Sequence, residues 1–263
     1  MHPFSIKLAI AFIIIFLNYV FEYYKEALFF AINCFSAKPF WEYLMLSLTQ
    51  LCDGNWVLLW GFLLYGKRQG LILPFLLSFL LAGFLVQLLK AIWESPRPAI
   101  LFEGQLLLCL PGIKHITKSF PSGHAANAFV LASFLAQRSS RMRQYTAYSL
   151  AALMALSRVY VGAHFLSDIW IGSWIGFLAS QAVFSHYRHH LPQVNYYLRG
   201  FLVSLLGILA SLYYLFLHHE VVPKVGDYFK LAAWFFLLWF SLRSVYYLCQ
   251  SLFDLKLKRL IHP

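Results

Sequence analysis

Acidic residues are scarce in this chain. Its 263 residues hold 10 Asp and Glu against 21 Lys and Arg, and charged residues of both signs make up only 12%. A soluble globular domain carries roughly 25% charged residues, and a disordered chain has less apolar content still, so both classes are excluded. The four cysteines, Cys34, Cys52, Cys109 and Cys249, stand singly, without CxxC or Cys/His spacing. They are read as small apolar residues within spans rather than as a disulfide framework or a zinc site. Strict apolar/polar alternation, the mark of a transmembrane barrel, is missing as well. The first apolar run, near 6–19, is followed by Phe21, Glu22 and Tyr23 and not by the small residues of a cleavage site, so it is expected to be a retained span. No repeat, low-complexity tract or soluble domain stands out.

What is abundant is apolar surface: 61% of the residues are hydrophobic, with 26 Phe, 16 Tyr and 8 Trp, and the mean hydropathy is +0.67. A net charge of +11 would suggest nucleic acid for a hydrophilic chain; here the bilayer is the better partner, and no nucleic acid is expected. Apolar runs long enough to cross about 30 Å of hydrocarbon recur at 5–23, 44–65, 71–92, 123–137, 145–160, 167–185, 199–217 and 229–249. The fold class is therefore all-α, a polytopic transmembrane helical bundle. The second run is the least regular, because Asp53, Gly54 and Asn55 sit inside it. Counted loop by loop, eleven Lys and Arg fall on the side holding both termini and six, besides the motif residues below, on the other. That bias makes both termini cytoplasmic.

Three segments carry chemistry. The first ends a span with Lys90, Pro96, Arg97 and Pro98. Cations at the edge of an apolar run need an anionic partner or an escape to the interface, and both prolines stop the helix and turn the chain back over the membrane edge. Simple snorkelling toward headgroups is the alternative. The second, Ser119, Phe120, Pro121, Ser122, Gly123 and His124, precedes a span. Ser122 suits an N-cap, Gly123 leaves backbone N–H groups approachable, and such a helix start attracts anions. His124 could then donate a proton to a leaving oxygen, or be no more than an interfacial residue of a capped helix. The third holds Ser157, Arg158, His164 and Asp168. Four residues apart, His164 and Asp168 share a face if helical, so that the carboxylate holds one ring N–H and directs the other nitrogen outward. That arrangement prepares a nucleophile or general base, although it can also be structural. Arg158 adds a planar donor fork for phosphate oxygens.

Alternation of the spans puts all three segments on one face of the membrane, the non-cytoplasmic one, where two His, one Asp, two Arg and one Lys can converge on a single anion. Independent snorkelling residues would have no reason to share a side. Lys90, Arg97 and Pro98, then Pro121, Ser122, Gly123 and His124, then Ser157, Arg158, His164 and Asp168 together resemble the Lys-x6-Arg-Pro, Pro-Ser-Gly-His and Ser-Arg-x5-His-x3-Asp pattern of the type-2 phosphatidic acid phosphatase (PAP2) superfamily, which includes vanadium haloperoxidases.

The resemblance implies a six-helix catalytic core, here 1–198, and leaves 199–263 as two additional spans with a basic cytoplasmic tail. It implies that His164 attacks phosphorus to form a phosphohistidine, that Asp168 orients it, and that His124 protonates the leaving oxygen. Lys90, Arg97, Ser122, Gly123 and Arg158 would hold the phosphoryl oxygens, with no metal and no cofactor. The expected substrate is a membrane lipid phosphate, with undecaprenyl pyrophosphate first and lipid A, phosphatidylglycerophosphate and phosphatidate as alternatives. A lipid phosphotransferase is a close variant, a non-catalytic lipid-phosphate binding or transport protein the rival from another class, and a haloperoxidase a weaker third. His186, Arg188, His189 and His190, then His218, His219 and Glu220, and the tail with Asp254 are read as loop or headgroup-facing residues. Arg243, inside the last span, needs a partner or a polar cavity. A cysteine placed at Lys114 should react with an impermeant thiol reagent in intact cells; labelling only after the membrane is opened would reverse the orientation.

Overall fold

Apolar segments in a bilayer must satisfy their own backbone N–H and C=O groups, and the computed structural model shows every run doing so as helix, with no strand among the described residues. The structure describes residues 3–33, 39–65, 71–103, 105, 118–137, 139–187, 196–216 and 225–261. In chain order the helices are α1 (Pro3–Tyr23), α2 (Lys25–Asn33), α3 (Pro39–Leu51), α4 (Gly54–Tyr65), α5 (Ile72–Ile92), α6 (Pro98–Leu101), α7 (Gly123–Ala136), α8 (Arg141–Tyr160), α9 (Leu166–Tyr187), α10 (Tyr196–Phe216) and α11 (Gly226–Ile261). Of these, α5 and the Gly226–Ser251 part of α11 are long and apolar enough by themselves to cross a membrane. Their outward faces expose Leu80, Phe84, Phe235 and Leu238. Such faces would aggregate in water and are at home in hydrocarbon.

The expected span over 44–65 is broken. Two helices, α3 and α4, meet at Cys52 and Asp53, where the Asn55 N–H donates to Asp53 Oδ1 at 2.9 Å. An Asp that caps a new helix offsets the interrupted backbone ladder, which is why a polar triplet inside an apolar run signalled a break rather than a weak span. Two short helices, α2 and α6, lie between the expected spans, and α11 runs on to Ile261. His189, His190, Arg188, His218, His219 and Glu220 lie outside the described residues, as do the side chains from Leu252 onward.

At the centre, α7 packs among α5, α8 and α9. Five of its buried residues are alanines, Ala125, Ala126, Ala128, Ala132 and Ala136, set among Val130, Leu131, Ser133 and Phe134. Helices in lipid gain little from apolar burial against one another and associate through close packing, which small residues permit. On α9, a methyl group at Gly172 would collide with the Ser122 carbonyl oxygen, and one at Gly176 with the Ala126 carbonyl oxygen. This approach draws the first turn of α9 against the start of α7, where the Ser122 N–H donates to the Asp168 carbonyl at 3.0 Å.

The last two helices pair with each other and then with α4. Gly200 faces the Tyr247 ring and Gly207 the Phe240 ring, a spacing of seven run in opposite directions, so α10 and α11 are antiparallel. Trp56 of α4 packs edge-on against Tyr214 at 5.2 Å and Phe229 at 4.9 Å. Arg243 is buried with its partner on the same helix: it donates to the Tyr247 hydroxyl at 3.3 Å and lies 5.3 Å from that ring's centroid.

Gly176→Val should destabilise the bundle by about 1–3 kcal/mol or more through the clash with Ala126. Thermal unfolding in detergent micelles checks this; a melting temperature equal to that of the unsubstituted protein would contradict the packing described.

Candidate active site

Four helix ends meet where α7 begins. Beyond Lys90 the chain leaves α5 at Trp93 in extended geometry (φ −113, ψ 106) and stays extended to Arg97 (φ −78, ψ 152), which caps α6 with Pro98 at its first position. Both prolines enforce this, since each disfavours helix in the residue before it. The extended strip runs beside 118–122: the Ser119 N–H donates to Ser95 O at 2.7 Å, and Lys90 Nζ donates to Lys118 O at 2.9 Å and Ser119 O at 3.3 Å. Arg97 is buried beside it.

Ser122 caps α7, its side chain accepting from the Ala125 N–H at 3.4 Å. At Gly123 an added Cβ would only touch Val86, at 3.6 Å, so protein packing does not demand glycine there. At the end of α8, Gly162 takes φ 76, a conformation that L side chains disfavour, and turns the chain into α9. The turn folds back on Arg158, whose carbonyl accepts from the Ala163 and His164 N–H groups at 3.0 and 3.2 Å. Arg158 and His164 are both buried.

His164 stands in this turn, ahead of α9, and not on the helix, which corrects the expectation of a shared helical face. Asp168 is the third residue of α9, and its carboxylate reaches back over the helix start: Oδ2 accepts from the Phe165 N–H at 2.9 Å, the reciprocal half of a capping box. The contact with the imidazole is also less direct than expected. Asp168 Oδ2 lies 3.5 Å from His164 Nδ1, while Ser119 Oγ sits 3.3 Å from Nδ1 and donates to Asp168 Oδ2 at 2.5 Å. Ser119 therefore bridges the pair. Its role could have been suspected only from its place beside the Pro-Ser-Gly-His run.

With Nδ1 facing Ser119 and Asp168, Nε2 carries the lone pair. Burial first, and then the charges of Arg97, Arg158 and Lys90, hold the His164 imidazole well below the ordinary histidine value of 6.5. It is neutral at pH 7, as a nucleophile or base must be. His124, in the first turn of α7, is within the field of Arg158, His164, Arg97 and Lys90. It also faces a residue that sequence reasoning did not assign: Asp53 Oδ2 lies 3.8 Å from His124 Nε2. The expected site residues Lys90, Arg97, Ser122, Gly123, His124, Arg158, His164 and Asp168 thus gather at one end of the bundle. Among the described residues, no three His, Cys, Asp or Glu side chains cluster to hold a metal ion.

This is a helical membrane bundle with cationic and imidazole side chains collected where four helix ends meet. This chain matches the family model of the PAP2 superfamily over residues 71–191, a region that contains all three motifs. It is 34% identical over 131 residues to an undecaprenyl-diphosphatase of Sulfolobus acidocaldarius, covering 48% of this chain and 62% of that protein. It is 35% identical over 71 residues to a lipid A 4'-phosphatase of Porphyromonas gingivalis, covering 27% of this chain and 30% of that protein. A phosphatidylglycerophosphatase B of Bacillus subtilis is 36% identical over 78 residues, which is 26% of this chain and 38% of that protein. The chain thus spans less than two thirds of each of these relatives. Among solved structures, Aquifex aeolicus LpxE aligns with a TM-score of 0.55 and 28% identity over 61% of this chain and 94% of its own. A transmembrane PAP2-type phosphatidylglycerolphosphate phosphatase from Bacillus subtilis aligns with a TM-score of 0.56 and 24% identity over 72% and 98%, and shares the fold.

A histidine-selective 15N NMR titration should find His164 neutral and protonated on Nδ1 at pH 7, gaining its second proton only below 6.5. Assignment comes from His164→Gln, and a midpoint at or above that value would contradict the electrostatics.

Proposed function

We propose that this chain is an integral membrane lipid-phosphate phosphatase working through a phosphohistidine. The observation that carries this reading is the environment of His164, a buried neutral imidazole whose Nδ1 is engaged by Ser119 and Asp168 while Lys90, Arg97 and Arg158 surround it. His164 Nε2 gives its lone pair to phosphorus, the bond to the leaving oxygen breaks, and that oxygen takes the proton of His124. Water then attacks the phosphohistidine, loses its proton to His124 and releases phosphate, and the electron pair of the P–N bond returns to Nε2. Lys90, Arg97 and Arg158, with Ser122 and the Gly123 N–H at the start of α7, hold the equatorial oxygens through the transition state. Gly123, which packing does not require, leaves that N–H approachable. No metal takes part in these steps.

Two features favour a lipid. The 14 residues of α7 span only about 21 Å, less than the roughly 30 Å of hydrocarbon, a length that leaves room for its start to sit below the membrane surface. An apolar cleft of about 400 Å³, lined by Leu166, Ile169, Trp170, Trp174 and Phe177, runs down α9 from the residue two after His164. Undecaprenyl diphosphate is the leading substrate, supported by the relative of that name and by the outward-facing site that the charge count implies. Both termini are then cytoplasmic.

Purified protein in excess chelator should release phosphate from one of undecaprenyl diphosphate, phosphatidylglycerophosphate, phosphatidate or lipid A. His164→Ala should reduce turnover by on the order of 10³-fold or more. Retained turnover in the variant would overturn the mechanism. Binding of these lipids without release, and with affinity kept in His164→Ala, would assign the pocket to a binding protein instead.

A further inference from the structure

The break between α3 and α4 sets a carboxylate against His124 from outside the three motifs and outside the 71–191 region that the family matches. Asp53 Oδ2 lies 3.8 Å from His124 Nε2, the side chains being 13% and 23% exposed. The other carboxylate oxygen caps α4 through the Asn55 N–H. Gly54 sits against Asn127, one turn below His124 on α7, so the break is seated on the helix that carries the imidazole. Capping alone does not account for an aspartate here. Ser or Asn caps a helix as well, and neither brings a charge into the bilayer, where a carboxylate is costly without an opposite partner.

We propose that Asp53 is the positioning residue of His124, holding the ring in place and favouring the protonated imidazole that supplies the leaving oxygen. The proposal rests on the phosphatase reading above. The charged and titratable groups whose fields reach His124 are Arg158 from α8, His164 from the α8–α9 turn, Arg97 ahead of α6 and Lys90 from α5, while Asp53 stands against Nε2. Three cations bind phosphate and by the same charge repel a proton on His124; a carboxylate on the far side of the ring lets one site do both. In the transfer itself the P–O electron pair stays on the leaving oxygen, the His124 proton joins it, and Asp53 keeps its charge. The C-terminal pair packs against the helix that Asp53 caps: Tyr214 of α10 lies edge-on to Trp56 of α4.

The test compares Asp53→Asn and Asp53→Ser, both of which retain the cap, with the unsubstituted full-length protein in detergent micelles. Two probes are used: dodecyl phosphate, whose alkoxide must be protonated to leave, and 4-nitrophenyl phosphate, whose phenolate need not be. Both variants should lose about tenfold or more in kcat on dodecyl phosphate with KM little changed, and keep 4-nitrophenyl phosphate turnover within a few-fold. The alkaline limb of the pH profile should move down by about one pH unit. Combining Asp53→Asn with His124→Ala should add no further loss. Equal losses on both probes with an unmoved alkaline limb, or no loss on either, would overturn the proposal and leave Asp53 a helix cap. Failure of the unsubstituted protein to release phosphate from either probe would remove the phosphatase reading itself, a result distinct from any difference between variants.

Discussion

The site hangs on Asp168. Its carboxylate accepts from Ser119 and from the Phe165 N–H and stands beside His164, while its carbonyl accepts from the Ser122 N–H. One residue thereby ties the strip before α7, the cap of α7 and the turn before α9 into a single unit. The tie is possible because Gly172 and Gly176 let α9 lie against the backbone of α7. Packing of small residues and placement of the His164 ring are in this way coupled.

Around that node the charge arithmetic is demanding. Lys90, Arg97 and Arg158 lie together at the end of a bundle immersed in hydrocarbon, where isolated cations are expensive. Part of the cost is offset locally, Lys90 giving its protons to the carbonyls of Lys118 and Ser119 and Asp168 contributing the opposite charge. In the proposed reaction a dianionic phosphoryl group offsets more of it. The same arrangement separates the two imidazoles. His164 faces the Ser119 and Asp168 side and His124 the Asp53 side, so two residues of one kind stand in different surroundings.

Much of this was legible in the sequence because its signals are local. Pro96 and Pro98 stop α5, Ser122 caps α7, and the run from Ser157 to Asp168 ends one helix and begins another. Their meeting at one end of the bundle followed from alternation of the spans. The less legible parts depend on contacts between distant segments. Ser119 bridges His164 and Asp168 only because the strip before α7 crosses the start of α9, and no spacing within the chain announces that. Asp53 looked like a flaw in a span, since an N-cap inside an apolar run has the same composition as a poor transmembrane segment. The placement of α10 and α11 was likewise invisible: the Gly200 and Gly207 seats for Tyr247 and Phe240 lie on two different helices, and only their pairing shows the shared spacing of seven.

Covalent transfer through His164 is the central claim, and the stereochemical course at phosphorus tests it most directly. A substrate made chiral at phosphorus with sulfur and oxygen isotopes, hydrolysed in water of a third oxygen isotope, passes through two in-line displacements if a phosphohistidine forms. The product should then show net retention. Net inversion would mean that water attacks phosphorus directly, and would leave His164 as a base in place of the nucleophile.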